Sequence, residues 1–317
     1  MNVLRAASLY LRIMLLALLI FLSPAAFSAS DTYVPPPGKT LLIVGQDRDT
    51  ISGYVAYVGD VPGGVMLYTS VQEARGLNSP ADYGSGPQDG NALLQAYPYS
   101  VIQVGLYMVD GLEKTAAGKY DANLKTLAGW IKKASRPVYV RIGYEFDNPS
   151  NHYDPNQYVE AFRYVVDFLR KQGADNAAFV WHTQCAQDSG LWLAWYPGDE
   201  YVDWFGVSLF STGQIPVAKK FLEMAEEHKK PFMICESSPW GIYTLRGKID
   251  WFTHVFNFIR EEKVRAFCYI NSNWDAMPMY RGQSIGDARL EENDEIKKIW
   301  LKETGQSRYL KASPGLY

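Results

Sequence analysis

Cysteine and histidine are scarce in this chain, with 3 Cys and 4 His among 317 residues. Three cysteines (Cys185, Cys235, Cys268) can form at most one disulfide, so cross-links are not the scaffold. No Cys/His spacing resembles a zinc site, which leaves metal catalysis without support, and no cofactor is expected. Contiguous basic runs are missing too, and the formal charge is −3, so nucleic acid is not an expected partner. Internal repeats, low-complexity blocks and interdomain linkers are absent, which argues for a single domain. Only one stretch has the look of an address. Arg5 and Arg12 precede the apolar run Ile13 to Leu22, and small residues follow from Pro24 to Ser30. This is the order of a secretory signal peptide, and the run is short of the ~20 residues that a spanning helix needs. Residues 1–29 are therefore expected to be a leader, cut somewhere within 26–30, with an uncleaved signal anchor as the alternative. No Cys follows the apolar run, which disfavours a lipid anchor. Residues 30–317 then form the mature domain, with a formal charge of about −5 once both arginines are lost. The expectation is a secreted or periplasmic protein, free of the membrane after cleavage and monomeric.

What the chain does have is short apolar runs alternating with amphipathic ones. Runs at 41–45, 64–69, 100–106, 137–142, 177–181, 204–209, 231–235 and 266–270 read as strands covered on both faces. Helical periodicity lies between them at 120–134, 155–171, 217–228, 249–262 and 291–302, and more weakly at 49–58 and 91–97. Asp154-Pro155 is an N-cap followed by proline at the first helical position, and Gly173 closes the same helix. Eight strands alternating with helices over this length predict an α/β fold, a single-domain (β/α)8 TIM barrel.

In such a barrel, chemistry gathers in the loops after the strands. The fourth expected strand runs into Gly143-Tyr144-Glu145-Phe146-Asp147, and the seventh ends at Glu236. Two carboxyl groups facing each other over a barrel mouth are what glycosidic cleavage requires. One protonates the leaving oxygen, and the other stabilises or attacks the anomeric carbon. For retention of configuration the carboxyl groups should lie ~5–5.5 Å apart, and for inversion ~6.5–9.5 Å. Nine Trp and 22 Tyr supply rings of the kind that stack on sugar faces.

The segments Arg141-Ile-Gly-Tyr-Glu145, Trp195-Tyr-Pro-Gly-Asp-Glu-Tyr-Val-Asp-Trp204 and Met233-Ile-Cys-Glu236-Ser resemble glycoside hydrolase family 26. The resemblance implies retaining hydrolysis of a β-linked polysaccharide (mannan, or less often xylan or mixed-linked glucan), with Glu145 as acid/base and Glu236 as nucleophile; a mannanase- or xylanase-like, endo-acting enzyme is the expectation. It also implies Trp274 as the floor of the sugar site. Two positions depart from the family pattern. Tyr144 stands where the family usually has His, and Phe210 where it often has a Tyr that hydrogen-bonds the nucleophile. Tyr243 or Tyr269 is a candidate replacement for that hydroxyl. These departures leave the β-glycan open, algal ones included.

The other candidates carry two readings each. Arg141, His182, Tyr144, Trp240 and Trp195 are taken as substrate-binding, against packing or a structural ion pair. Strand spacing separates Arg141 from Glu145, and Asp147 competes with Glu145 for the acid role. Asp203 is expected to fix a loop. Cys235 is expected to point away from Glu236 as a buried thiol. The polysaccharide or oligosaccharide substrate is the expected partner. Alternatives are a non-catalytic carbohydrate-binding barrel and an enzyme acting on the cell's own exopolysaccharide.

Overall fold

In the computed structural model, which describes residues 32–186 and 190–317, eight parallel strands close on themselves. The leader and its cleavage site lie outside the described residues. The strands are β1 (Thr40–Gly45), β2 (Gly64–Ser70), β3 (Val101–Tyr107), β4 (Val138–Ile142), β5 (Ala177–Thr183), β6 (Trp204–Leu209), β7 (Phe232–Ser237) and β8 (Ala266–Ile270). Each pairs with the next, and β8 returns to β1 with Leu41 opposite Ala266 and Gly45 opposite Ile270. Closure gives each of the eight strands a neighbour on both sides, and a short two-residue strand, Tyr309–Leu310, is added in parallel at the start of β1 opposite Thr40 and Leu41. It also explains the continuous apolar runs, because both faces of every strand are buried. Leu42, Val44, Val65, Leu67, Val138 and Val140 face the helices, while Ile43, Met66, Val180, Trp204, Met233 and Cys268 fill the barrel.

The helices are α1 (Arg48–Val58), α2 (Gly90–Ala96), α3 (Leu112–Ala116), α4 (Asp121–Ala134), α5 (Pro155–Lys171), α6 (Ile215–Glu227), α7 (Leu245–Glu261) and α8 (Asp294–Thr304). Capping accounts for several boundaries. Asp47 accepts from the backbone N–H groups of Asp49 and Thr50 at the start of α1, and Asp154 does the same for Asn156 and Gln157 in α5. Gly173, at φ +71°, follows α5 in the left-handed conformation that ends a helix. Asn293 caps α8, so that helix begins at Asp294 rather than at 291. The five-residue α3 was not anticipated, being too short to show periodicity. None of the described helices is long and apolar enough to cross a membrane.

One connection departs from strict alternation. Among the described residues, β5 and β6 are joined by no α-helix, only a single 3-10 turn, Trp192–Trp195. Pro197 and Gly198 (φ +108°) follow and would interrupt a helix there. Rings take the helix's place against the barrel. Tyr196 packs on Trp181 with centroids 4.8 Å apart, and Trp195 on Phe146 at 5.8 Å.

A second irregularity sits between β6 and β7. Val207 pairs with Ile234, but Ser208 pairs with Glu236, leaving Cys235 as the extra residue of a bulge. Plain alternation predicts that Cys235 and Glu236 point to opposite faces. That expectation is corrected: Cys235 joins the inner cluster, and the Glu236 carboxylate meets the buried Arg141 inside the barrel mouth. The bulge turns both side chains inward. Gly206, on the facing strand, makes this possible, because a Cβ there would collide with Cys235 Sγ and lie 3.0 Å from Val180 Cγ1. Gly206→Ala is therefore expected to destabilise the fold by about 1–3 kcal/mol through overpacking. Adding Cys235→Ala should recover part of the loss. Denaturant midpoints of the single and double variants check the pair.

Candidate active site

β4 stops at Ile142, and the chain then turns sharply through Gly143 (φ +53°) and Glu145 (φ +53°). A left-handed glutamate is strained, by roughly 1–3 kcal/mol, and persists only where its surroundings hold it. Here Asn151 Nδ2 donates to the carbonyls of Tyr144 (3.1 Å) and Glu145 (2.9 Å). Phe146 N–H donates to the carbonyl of His182 at 3.1 Å. The strand-parity argument for Arg141 and Glu145 thus lapses, because Glu145 lies in the turn and not on the strand.

Both oxygens of the Glu145 carboxyl are held. Ser208 Oγ donates to Oε1 at 2.6 Å and Asn148 Nδ2 to Oε2 at 2.9 Å. Burial pushes the Glu145 pKa up to about 7, with the like charge of Glu236 adding to it and the Ser208 and Asn148 bonds pulling back. Glu236 has a different environment. Its Oε1 forms an ion pair with Arg141 Nη1, the two side chains being 9% and 0% exposed. Arg141 also reaches Met66 Sδ at 3.1 Å and lies between the rings of Tyr68 (5.2 Å) and Tyr144 (5.1 Å). Burial disfavours the guanidinium charge, but Glu236 and its neighbours outweigh burial, and the Arg141 pKa is held well above its ordinary value.

Glu145 and Glu236 line one cavity of about 330 Å³ at the C-terminal ends of the strands. Tyr144, Trp240 and Trp274 also line this cavity. Trp240 and Trp274 stack with centroids 5.7 Å apart and planes 4° from parallel, and Trp274 Nε1 donates to Ser238 Oγ at 3.0 Å. Phe210 stands edge-on to Trp240 at 4.5 Å.

Other candidates fall elsewhere. Trp195 does not line the cavity; it packs against Phe146 on the helix side, standing in for the missing helix. His182 and Arg141 are both fully buried and do not line the cavity. Asp147 accepts from Thr183 Oγ1 (2.5 Å), Gln184 N–H (2.7 Å) and Trp192 Nε1 (3.3 Å), a set of bonds that ties the β4 loop to the β5 loop. Asp203 accepts from Phe179 N–H at 2.8 Å and fixes its loop. Tyr269 Oη donates to the Ala288 carbonyl, and Tyr243 Oη sits 3.5 Å from Asp275, so neither supplies the hydroxyl sought for Glu236. Cys185, Cys235 and Cys268 are all free and buried.

Tyr68, Ser70, Tyr280 and Ser208 escaped the sequence reading. Tyr68, Ser70 and Tyr280 line the cavity from the end of β2 and the loop after β8. No motif marks them, since a tyrosine at the end of an apolar run reads as core. Ser208 sits within a run that only the bulge brings level with Glu236.

The buried ion pair yields a test. Arg141→Met leaves Glu236 without its counter-charge and should cost about 3–5 kcal/mol of stability. The double variant Arg141→Met/Glu236→Gln should regain most of that stability, as read by chemical denaturation.

The sequence model described as Glycosyl hydrolase family 26 matches residues 127–286, which span β4 to β8. The chain is 31% identical over 331 residues to a protein named Beta-1,3-xylanase TXYA from a Vibrio species, covering 93% of this chain and 72% of that protein. A Beta-1,3-xylanase of an Alcaligenes species is also 31% identical, over 93% and 70% of the two chains. Among solved structures, the family 26 β-mannanase of Bacteroides ovatus superposes with a TM-score of 0.65 at 15% identity, covering 92% of this chain and 95% of that one. At that identity the likeness is one of fold. Sequence similarity across nearly the whole chain, centred on the strands that carry both carboxylates, makes this protein a member of glycoside hydrolase family 26.

Proposed function

We propose that this glycoside hydrolase is a secreted, endo-acting enzyme that cleaves β-1,3-linked xylan with retention, Glu145 serving as acid/base and Glu236 as nucleophile. The observation that carries the assignment of roles is the unlike setting of two carboxyl groups on one cavity. Glu145 is half-buried with no cation against it, and desolvation pushes its pKa up to about 7, so it can hold a proton near neutral pH. Glu236 lies against the Arg141 guanidinium, which suits a charged group that attacks carbon.

The reaction follows from these positions. A Glu236 oxygen attacks the anomeric carbon as the glycosidic C–O bond breaks, and the departing oxygen takes the Glu145 proton. A covalent glycosyl ester on Glu236 results. A water molecule then loses a proton to the Glu145 carboxylate and attacks the same carbon, and Glu236 leaves. Two inversions leave the configuration unchanged. Trp240, half-buried, supplies flat apolar surface for a sugar ring with Trp274, 1% exposed, stacked against it as support, and Ser70, Thr69 and Gln46 supply polar groups on the same cavity.

The choice of xylan rests on the two relatives at 31% identity, both named β-1,3-xylanases. The mannanases among the solved structures are only 14–19% identical and support the barrel rather than the substrate. Residues 1–29 are read as the export signal from their charge and apolar order.

Incubation with β-1,3-xylan, β-1,4-xylan, mannan and mixed-linked glucan should release reducing ends fastest from the first; faster release from mannan would refute the substrate assignment. Proton NMR of the first product should show the β-anomer. Because Glu145 must be protonated for the first step, kcat/KM should be sustained below pH about 7 and fall as pH rises through it. Glu145→Gln should lose about 10²–10⁴-fold on the polysaccharide, and much less on an aryl glycoside whose leaving group needs no proton. N-terminal sequencing of exported protein should begin within 27–31.

A further inference from the structure

Behind the cavity wall a chain of three side chains joins the two carboxyl groups. Arg141 Nη1 contacts both Glu236 Oε1 and His182 Nδ1, the latter at 3.3 Å. His182 Nε2 lies 3.0 Å from Ser208 Oγ, and Ser208 Oγ lies 2.6 Å from Glu145 Oε1. His182 and Ser208 are both completely buried, so they touch no sugar. The direction of every link is determined. A guanidinium only donates, so His182 Nδ1 must accept. A neutral imidazole then carries its hydrogen on Nε2 and donates it to Ser208 Oγ. Burial, reinforced by Arg141, holds the His182 pKa well below its ordinary value, which keeps the ring neutral. The Ser208 hydroxyl, already accepting from the ring, directs its own hydrogen to Glu145.

We propose that Ser208 and His182 are positioning residues for Glu145, forming a one-way hydrogen-bond relay that orients its carboxyl and ties it to the guanidinium that holds Glu236. The inference rests on the acid/base role given to Glu145. Its structural need is plain. The left-handed turn fixes the Glu145 backbone but leaves a three-torsion side chain to be aimed. Ser208 and Asn148 clamp one oxygen each, both as donors, which fixes the plane of the carboxyl group. The relay also matches the order of events. When Glu236 becomes an ester its negative charge is lost, and Arg141 faces the relay without that partner. The donors already point toward Glu145, so the change favours the carboxylate that the second step requires. Other titratable groups facing Glu145 are Asp147 on its own loop, Cys235 and Glu236 of β7, Tyr153 ahead of α5, and Tyr280 after β8.

The test compares Ser208→Ala, Ser208→Thr, His182→Phe and Glu145→Gln in the full enzyme on β-1,3-xylan or whichever glycan proves to be cleaved. Ser208→Ala should lower kcat by about 10–100-fold with KM changed by less than about twofold, since the missing group never meets substrate. The alkaline limb of its kcat/KM profile should move upward, because a donor that favours ionised Glu145 is gone. Ser208→Thr should restore most of kcat and the original limb, and His182→Phe should move the limb the same way by a smaller step. Thermal unfolding identifies any variant that merely folds poorly. A wild-type limb in folded Ser208→Ala or His182→Phe overturns the relay, while loss of activity in Glu145→Gln alone would leave the acid/base role intact. Full activity of Glu145→Gln on polysaccharide overturns both.

Discussion

Arg141 is a permanent charge with no exposure to water, placed inside a barrel otherwise filled by Met66, Val180, Met233 and Cys268. An arginine cannot shed its proton to escape burial, so the structure must supply an anion or forfeit several kcal/mol. Glu236 is that anion. Much of the site's arrangement follows from the pairing: Tyr68 and Tyr144 flank the guanidinium with their faces, and Met66 Sδ accepts from its second arm. Tyr144 is therefore bound up with the charge at the barrel mouth as well as with the cavity, which gives a physical context for its place beside Glu145.

The pair also needs geometry that a regular sheet does not provide. On an unbroken β7, Glu236 would follow Cys235 onto the opposite face. One extra residue in the ladder turns the carboxylate inward, and the bare Cα of Gly206 leaves space for the thiol that comes with it. On the other side of the mouth, Glu145 reaches the cavity only because the chain leaves β4 through two left-handed residues. The carboxyl groups thus arrive by two local irregularities, a bulge and a strained turn. The regular barrel is the frame against which both are defined.

Much of that frame was legible in the residues. Eight continuous apolar runs separated by periodic ones identify strands buried on both faces, and the Asp154-Pro155 signal located α5 at its first residue. The two glutamates were visible because a carboxylate straight after an apolar strand has little structural use. Individual side chains were harder. Trp195 belongs to the segment that resembles the family most, yet its ring packs against Phe146 on the outer face of the barrel, in a connection whose described residues hold no α-helix. His182 follows a strand as a rim residue would, but β5 continues to Thr183 and carries its ring into the interior.

Taken alone, the residue order determined the strand count, the alternation that requires a closed barrel, and which two carboxyl groups stand at strand ends. These follow from local periodicity, which depends on near neighbours in the chain. Tertiary structure decided the rest: the partner of Arg141, 95 positions away, the inward turn of Glu236, and the line from His182 through Ser208 to Glu145. Each of these depends on the register between non-adjacent strands, and a single-residue slip in register reverses the face a side chain occupies. No pattern within one strand carries that information.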